Sequence, residues 1–280
     1  MITRRRFLRA SLGLCAAGAG VAAYTRFIEP HWIEVVRLDM PVPNLPLAWE
    51  GKSLVHLSDL HIGPVVDNAY MARALQRVAD LDPDVIAVTG DFMTCEGDEQ
   101  VAHTLDMMRH LPPARTATVA VLGNHDYGRG YRQSKPANEL ARGLEQQDIR
   151  VLRNEAESFG GLTLIGLDDL WSPMWAPDAV LADLKPDTAG VALCHNPDGV
   201  DQPGWGGFKG WVLAGHTHGG QCRAPLYGAP ILPVRNKRYD AGHIDLHDGR
   251  HLYINRALGY SHPVRFGARP EITVFTLARA

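Results

Sequence analysis

Apolar and polar positions follow two different periods along this chain. Short runs rich in Val, Ile, Leu and Ala occur at 52–57, 84–89, 116–122 and 189–193. Runs of that length, bounded by polar or turn residues, predict buried strands. Between the first three runs, apolar residues recur at helical spacing. Residues 67–81 place Met71, Leu75, Val78 and Ala79 on one face, and 98–110 and 135–147 form a second and a third such segment. Pro83 and Pro112-Pro113 end the first two. The first half therefore reads β-α-β-α-β-α.

The second half reads differently. Strands are expected at 149–153 and 162–167, joined by a polar turn, then at 189–193 and 209–214. Residues 242–246 and 251–255 form a hairpin around Asp248-Gly249. An alternating strand over 271–277 closes the chain. Ahead of everything, 33–38 is a lead-in strand, and Pro41, Pro43 and Pro46 mark an extended linker. A Pro/Gly-containing loop covers 225–233. The stretch Leu170-Trp171-Ser172-Pro173-Met174-Trp175 is read as a core-capping loop, with a substrate lid as the alternative. No linker separates two cores. The pattern predicts one α/β domain of two stacked mixed sheets flanked by helices.

Composition changes this picture at the N-terminus. The chain has 280 residues and net charge −3, but residues 1–27 carry five arginines and no acid, so the remainder carries −8. That acidic body argues against a nucleic-acid-binding module, which needs a basic footprint. The sequence Thr3-Arg4-Arg5-Arg6-Phe7-Leu8-Arg9, followed by an Ala/Gly-rich apolar stretch to Ala23, resembles a twin-arginine export signal. The apolar stretch is short and Gly-rich for a membrane span. The boundaries expected are a signal or anchor over 1–27 and a single domain over 28–280. Cys15, Cys95, Cys194 and Cys222 form no paired motif, which argues against a disulfide framework.

Chemistry concentrates at the strand ends. The run Trp211–Ala214 leads into Gly215-His216-Thr217-His218-Gly219-Gly220. A strand ending there would send His216 and His218 to one side, because side chains alternate with period two. Asp59 and His61 follow the first strand, Asp91 the second, Asn124, His125 and Asp126 the third, and His195 the 189–193 strand. Ligands of α/β sheets bind beyond the carboxyl ends of the strands. Carboxylate, imidazole and amide oxygens without thiolate suit Mn, Fe or Zn. With His125 and Asp126 set apart, the seven donors Asp59, His61, Asp91, Asn124, His195, His216 and His218 exceed one tetrahedral ion and suit a pair. Of the other histidines, His56 is expected in the core, and His103 and His110 on a helix surface. Arg256 and Arg265 are either a phosphate clamp or structural.

These blocks, D-x-H, G-D, G-N-H-D, a lone His and G-H-x-H, stand in order from Asp59 to His218. They resemble the calcineurin-like metallophosphoesterases, and the G-H-T-H-G-G-Q form with Asn255–Tyr260 and Pro263–Gly267 resembles an exported bacterial subgroup. The resemblance implies a four-layer α/β/β/α sandwich. It implies two divalent ions, one on Asp59, His61, Asp91 and His218, the other on Asp91, Asn124, His195 and His216. It also implies that His125 faces the substrate as general acid, with Asp126 orienting it. The reaction implied is attack on a phosphoester by a hydroxide shared between the metals.

The expected function is phosphodiester or pyrophosphate hydrolysis. One alternative is cleavage of a UDP-acyl-sugar, a lipid A precursor, at the membrane surface. Another is a non-catalytic scaffold on the same fold. Partners expected are a small phosphoester, phospholipid or nucleotide-sugar substrate, the twin-arginine machinery and peripheral membrane contact. The expected location is the periplasm or the outer face of the cytoplasmic membrane, or else the cytosolic face through an N-terminal anchor.

Overall fold

A computed structural model describes residues 3–94, 97 and 99–280. Cys95, and Asp98 where the second helix was expected to begin, lie outside the described residues. Two six-stranded sheets make the frame. The first has β1 (Glu34–Val42), β2 (Ser53–Leu57), β3 (Val85–Thr89), β4 (Ala117–Val121), β5 (Ile149–Val151) and the closing strand β12 (Glu271–Arg279). Their order is β1-β12-β2-β3-β4-β5, with β2, β3, β4 and β5 parallel. The second sheet has β6 (Glu155–Phe159), β7 (Leu162–Gly166), β8 (Ala189–Leu193), β9 (Gly210–Ala214), β10 (Gly242–Asp245) and β11 (Arg250–Ile254). Their order is β10-β11-β9-β8-β7-β6, and β7, β8, β9 and β11 are parallel.

Alternation along the strands explains the layers. Leu54, Val85, Ala87, Val119, Val121 and Phe275 point to the second sheet and meet Leu164, Val191, Leu193, Trp211 and Leu213. Their neighbours Val55, Leu57, Ile86, Val88 and Ala120 point outward. That outer face is covered by α2 (Asn68–Gln76), α3 (Glu99–Met108) and α4 (Ser134–Glu145) through Met71, Leu75, Met108, Leu140 and Leu144. Asp67 caps α2 by accepting the Tyr70 N–H. The helix tightens into a 3₁₀ turn at Arg77–Leu81, which finishes the segment read as one helix. The fourth layer is thin. The one-turn α5 (Asp178–Leu181), a 3₁₀ turn at Pro197–Asp201 and loop aromatics Trp205 and Tyr239 cover the outside of the second sheet.

Three expectations change. The linker expected from Pro41 begins later, because β1 runs through Pro41 to Val42. As an edge strand pairing only with β12, it has one free side where the missing N–H costs no ladder bond. Residues 149–153 and 162–167 do not pair with one another. The polar segment between them is itself a strand, β6, which pairs with β7, while β5 joins the other sheet. Its solvent-exposed, Glu-rich face carried no apolar signal. At the N-terminus, α1 (Arg4–Ala23) continues through a π turn and a 3₁₀ turn to His31. The resulting 28-residue helical stretch is long and apolar enough to cross a membrane, unlike the short segment read from composition. Its foot is packed into the body. Thr25 O accepts the Arg265 N–H at 3.0 Å, and buried Glu29 accepts the Ala268 N–H at 2.9 Å.

Candidate metal centre

The carboxyl ends of β2, β3, β4, β8 and β9 meet at one edge of the sandwich, and all seven predicted donors gather there, nearly or wholly buried. Donor atoms of Asp59, His61 and His218 lie within 4.8 Å of one another, as do those of Asp91, His195 and His216. The groups are joined, since His61 Nε2 is 3.6 Å from Asp91 Oδ2. His218 Nε2 lies 3.2 Å from Asp59 Oδ1, and His195 Nε2 lies 3.3 Å from Asp91 Oδ2 and 3.2 Å from Asn124 Oδ1.

The backbone that aims these groups is unusual. Asp59, His61, Asp91, His216 and His218 all have left-handed φ, between 48° and 68°. Such conformations cost of order 1–3 kcal/mol each outside glycine and persist only where the surroundings over-determine them. This corrects the period-two reading of Gly215–Gly220. Strand β9 stops at Ala214, and a left-handed turn, not strand alternation, delivers His218 to the Asp59 group and His216 to the Asp91 group. The glycines allow close approach. A methyl on Gly215 would overlap Ser58 Oγ and Asp59 Oδ2, and one on Gly123 would overlap the Asp91 carboxylate.

The outer partners fit a metal site. His61 Nδ1 meets Thr94 Oγ1 at 2.9 Å, His218 Nδ1 meets Gln221 Oε1 at 3.2 Å, and His195 Nδ1 donates to Thr89 O at 2.6 Å. Each bond leaves Nε2 aimed inward, the arrangement metal-ligating imidazoles adopt. His216 does the reverse, donating Nε2–H to Pro233 O at 3.0 Å and leaving Nδ1 inward. Asp59 accepts Ser58 Oγ–H at 2.6 Å, and Ser58 Oγ accepts Thr89 Oγ1–H at 2.8 Å. His56 Nε2 meets that same Thr89 hydroxyl at 2.8 Å, so the expected core histidine supports the site from behind. Between His61 Nε2 and His218 Nε2 only 3.0 Å remains. Two inward nitrogens that close, facing two buried carboxylates, form a donor set that a cation satisfies.

Charge balance says the same. Burial pushes the Asp91 carboxyl up, but His195, His125 and His61 outweigh it and hold it well below the carboxylate range. Burial lowers His195, yet Asp91 and Asp59 outweigh it and hold the ring well above its ordinary value. His61 and His216 go the other way, each pushed down to about 3, mainly by burial. The same cause raises Asp126 well above normal, with Asp91 adding to it.

Asp126 is the one predicted site residue whose contacts differ in kind. Its carboxylate accepts the N–H of Gly123 at 2.9 Å and of Met93 at 3.2 Å. It therefore fixes the turn carrying Asn124 and His125, and not the His125 ring. That ring stands edge-on to His61 at 4.9 Å and Tyr131 at 5.2 Å, at the side of a cavity of about 470 Å³. Its donor atoms also group with those of His61 and Asp91 within 4.8 Å. The cavity wall adds Tyr131 and His262, which the sequence did not mark as site residues, and Trp171, which it marked only through the substrate-lid alternative. Trp171 lies edge-on to His216 at 4.6 Å, while Trp175 packs on the outer core of the second sheet. The loop read as core-capping thus serves both surfaces. Arg265 and Arg256 are structural. Buried Arg265 donates to four backbone carbonyls, and Arg256 pairs with Glu34 and Glu271.

A stacked pair of sheets with buried carboxylates, imidazoles and an amide at the strand ends makes this an α/β protein with a candidate metal-binding site. The model of the calcineurin-like phosphoesterase family matches residues 52–220, and the chain belongs to that family. It is similar to "Phosphodiesterase YaeI" of Escherichia coli, 32% identical over 99% of this chain and 100% of that one. It is similar to "Uncharacterized metallophosphoesterase YkuE" of Bacillus subtilis, 31% identical over 99% and 98%. It is also similar to "UDP-2,3-diacylglucosamine pyrophosphatase LpxG" of Chlamydia trachomatis, 26% identical over 89% and 90%. The protein is a phosphoric ester hydrolase, and members of its family bind divalent metals.

Proposed function

We propose that the chain hydrolyses phosphodiesters or pyrophosphates with two divalent cations, at the surface of a membrane to which its N-terminal helix holds it. Asp59, His61, Asp91 and His218 would hold one ion, and Asp91, Asn124, His195 and His216 the other. Mn, Fe or Zn suits these donors. The observation that carries the reading is the pair of buried three-donor groups joined through His61 and Asp91. Two bound ions supply Lewis acidity and an activated water. The residues do the rest. Neutral Asn124 adds a ligand without adding negative charge against an anionic substrate. His125, half-buried at the cavity wall, is placed to give a proton to the departing alkoxide. Tyr131 and Trp171 form an apolar wall for the leaving group beyond it.

Diester or pyrophosphate is favoured because relatives carry the names phosphodiesterase and UDP-2,3-diacylglucosamine pyrophosphatase. The outer membrane face is favoured by charge. Arg4, Arg5, Arg6 and Arg9 stand at the far end of the helix from the catalytic body, and such clusters stay cytoplasmic. The test is an assay of Mn-loaded protein on bis-p-nitrophenyl phosphate, p-nitrophenyl phosphate and a nucleotide-sugar pyrophosphate side by side. The diester or the pyrophosphate should turn over fastest. A dominant monoesterase activity would reject the reading.

A further inference from the structure

The loop from Cys222 to Pro233 contains no helix or strand, and its apolar side chains face solvent. Leu226, Tyr227 and Ile231 are 104%, 89% and 80% exposed. Single exposed apolar residues are ordinary, but a cluster is not. This cluster has a defined place. A cavity of about 630 Å³ lies between the loop and the foot of the N-terminal helix, lined by Leu226 and Arg223 on one side and Tyr24 and Glu29 on the other. Leu226 therefore shares one cavity with Tyr24, the residue that follows α1. The foot itself exposes Phe27, Ile28 and Trp32. Cations accompany them. Arg26 is exposed beside Phe27, and the Arg269 guanidinium lies 4.2 Å over the Trp32 ring. Aromatic and aliphatic side chains mixed with arginine are the composition that settles at the boundary of lipid headgroups and acyl chains.

The far end of the loop belongs to the catalytic cavity. Ile231 and Pro233 line it, and Pro233 O accepts the His216 ring N–H. Ala229 packs on Gly220, in the turn that carries His216 and His218. One short loop thus connects the helix foot to the metal-binding turn.

We propose that the loop is an interfacial membrane anchor: Leu226 and Tyr227 enter an anionic lipid surface beside the helix, which sets the mouth of the catalytic cavity against that surface. The inference rests on the membrane placement proposed above and specifies it. The substrate class it selects is a phosphoester whose apolar part stays in the bilayer while its phosphate enters the cavity past Ile231.

Two measurements on the full chain test it. The first compares wild type with the Leu226→Asp/Tyr227→Asp variant on soluble bis-p-nitrophenyl phosphate and on a lipid-linked p-nitrophenyl phosphodiester in phosphatidylglycerol vesicles. Neither residue lines the catalytic cavity, so the soluble rate should stay within about twofold, while the vesicle rate should fall about tenfold or more, because the helix still holds the chain but the loop no longer seats the cavity mouth on the lipid. Equal change on both substrates would overturn the proposal. The second places a nitroxide on Tyr227→Cys in a Cys15→Ser/Cys95→Ser/Cys222→Ser background, where buried Cys194 is the native thiol left, and, as a control, on Gln146→Cys beyond α4, next to the edge strand β5. In vesicles the label at 227 should be open to oxygen and shielded from an aqueous nickel chelate, and the label at 146 should show the reverse. Aqueous behaviour at both positions would overturn the docking. This second reading is independent of turnover, so it separates failure of the docking from failure of the hydrolase assignment.

Discussion

At the scale of single residues, His125 and His216 differ in what their loss should do. His216 is buried, with one ring nitrogen tied to Pro233 O and the other facing the site; His125 stands half-buried at the cavity wall. His216→Ala should therefore strip metal and abolish turnover of every substrate. His125→Ala should keep near-normal metal content and lower kcat by about 10²–10⁴-fold on poor leaving groups. With p-nitrophenol as leaving group the loss should shrink to less than about tenfold, because little protonation is needed. Metal analysis beside kcat decides this, and metal loss matching that of His216→Ala would make His125 a ligand. His56 gives a pH prediction. Burial lowers its folded pKa to about 3, against an ordinary 6.5. As pH falls below 6.5 the unfolded chain takes up a proton that the folded chain refuses. Stability is thus complete above 6.5 and drains away between 6.5 and 3, by at most about 1.4 kcal/mol per pH unit. Thermal melts of His56→Gln from pH 7 to 4 should show a shallower acid limb than wild type.

At the scale of elements, the turn Gly215–Gly220 and the helix α1 carry the predictions. Gly215→Ala inserts a methyl where Ser58 Oγ and Asp59 Oδ2 already stand. The turn must move, at a cost of about 1–3 kcal/mol for overpacking, and both histidines move with it. Metal affinity should fall much further than the melting temperature does; titration calorimetry beside thermal melts measures both. For α1, replacing Arg4 and Arg5 by Lys should strand a reporter fusion in the cytoplasm. Unchanged export would reject the twin-arginine reading and leave the helix as a plain anchor. Elements with apolar periodicity were legible in the chain: β2, β3, β4 and β8 fall within a residue or two of their predicted limits. Strand β6 was not, because its Glu-rich face meets water and its pairing with β7 is decided by backbone hydrogen bonds.

At the scale of the whole molecule, the two sheets are held as one body by their strand-end site as well as by their core. Asp59, His61, Asp91 and Asn124 come from the first sheet, His195, His216 and His218 from the second, so metal held by this set would cross-link them. Reconstituted protein should hold close to two ions per chain. Chelation should cost about 2.7 kcal/mol for each site held at a hundredfold excess over Kd. At roughly 2–4 °C per kcal/mol for a domain of this class, removal of both ions should lower Tm by about 10–20 °C. A stoichiometry of one with full activity, or a melting temperature indifferent to chelator, would contradict the dinuclear site.

What the sequence determined by itself was the inventory and its grouping by strand: which donors exist, that each follows a buried apolar run, and that seven of them outnumber one ion. Those properties are local, written in residue type, period and glycine placement. The motif resemblance implied how the donors divide, and the tertiary structure decided the route, because His216 and His218 part company through left-handed turns that no periodicity encodes. It assigned Asp126 to the backbone of its own turn, and Arg256 and Arg265 to the frame. It also brought Tyr131, Trp171 and His262 to the cavity. These contacts join segments far apart in the chain. They depend on where two packed sheets and their loops finally meet, and a single-sequence pattern carries no distance across that separation.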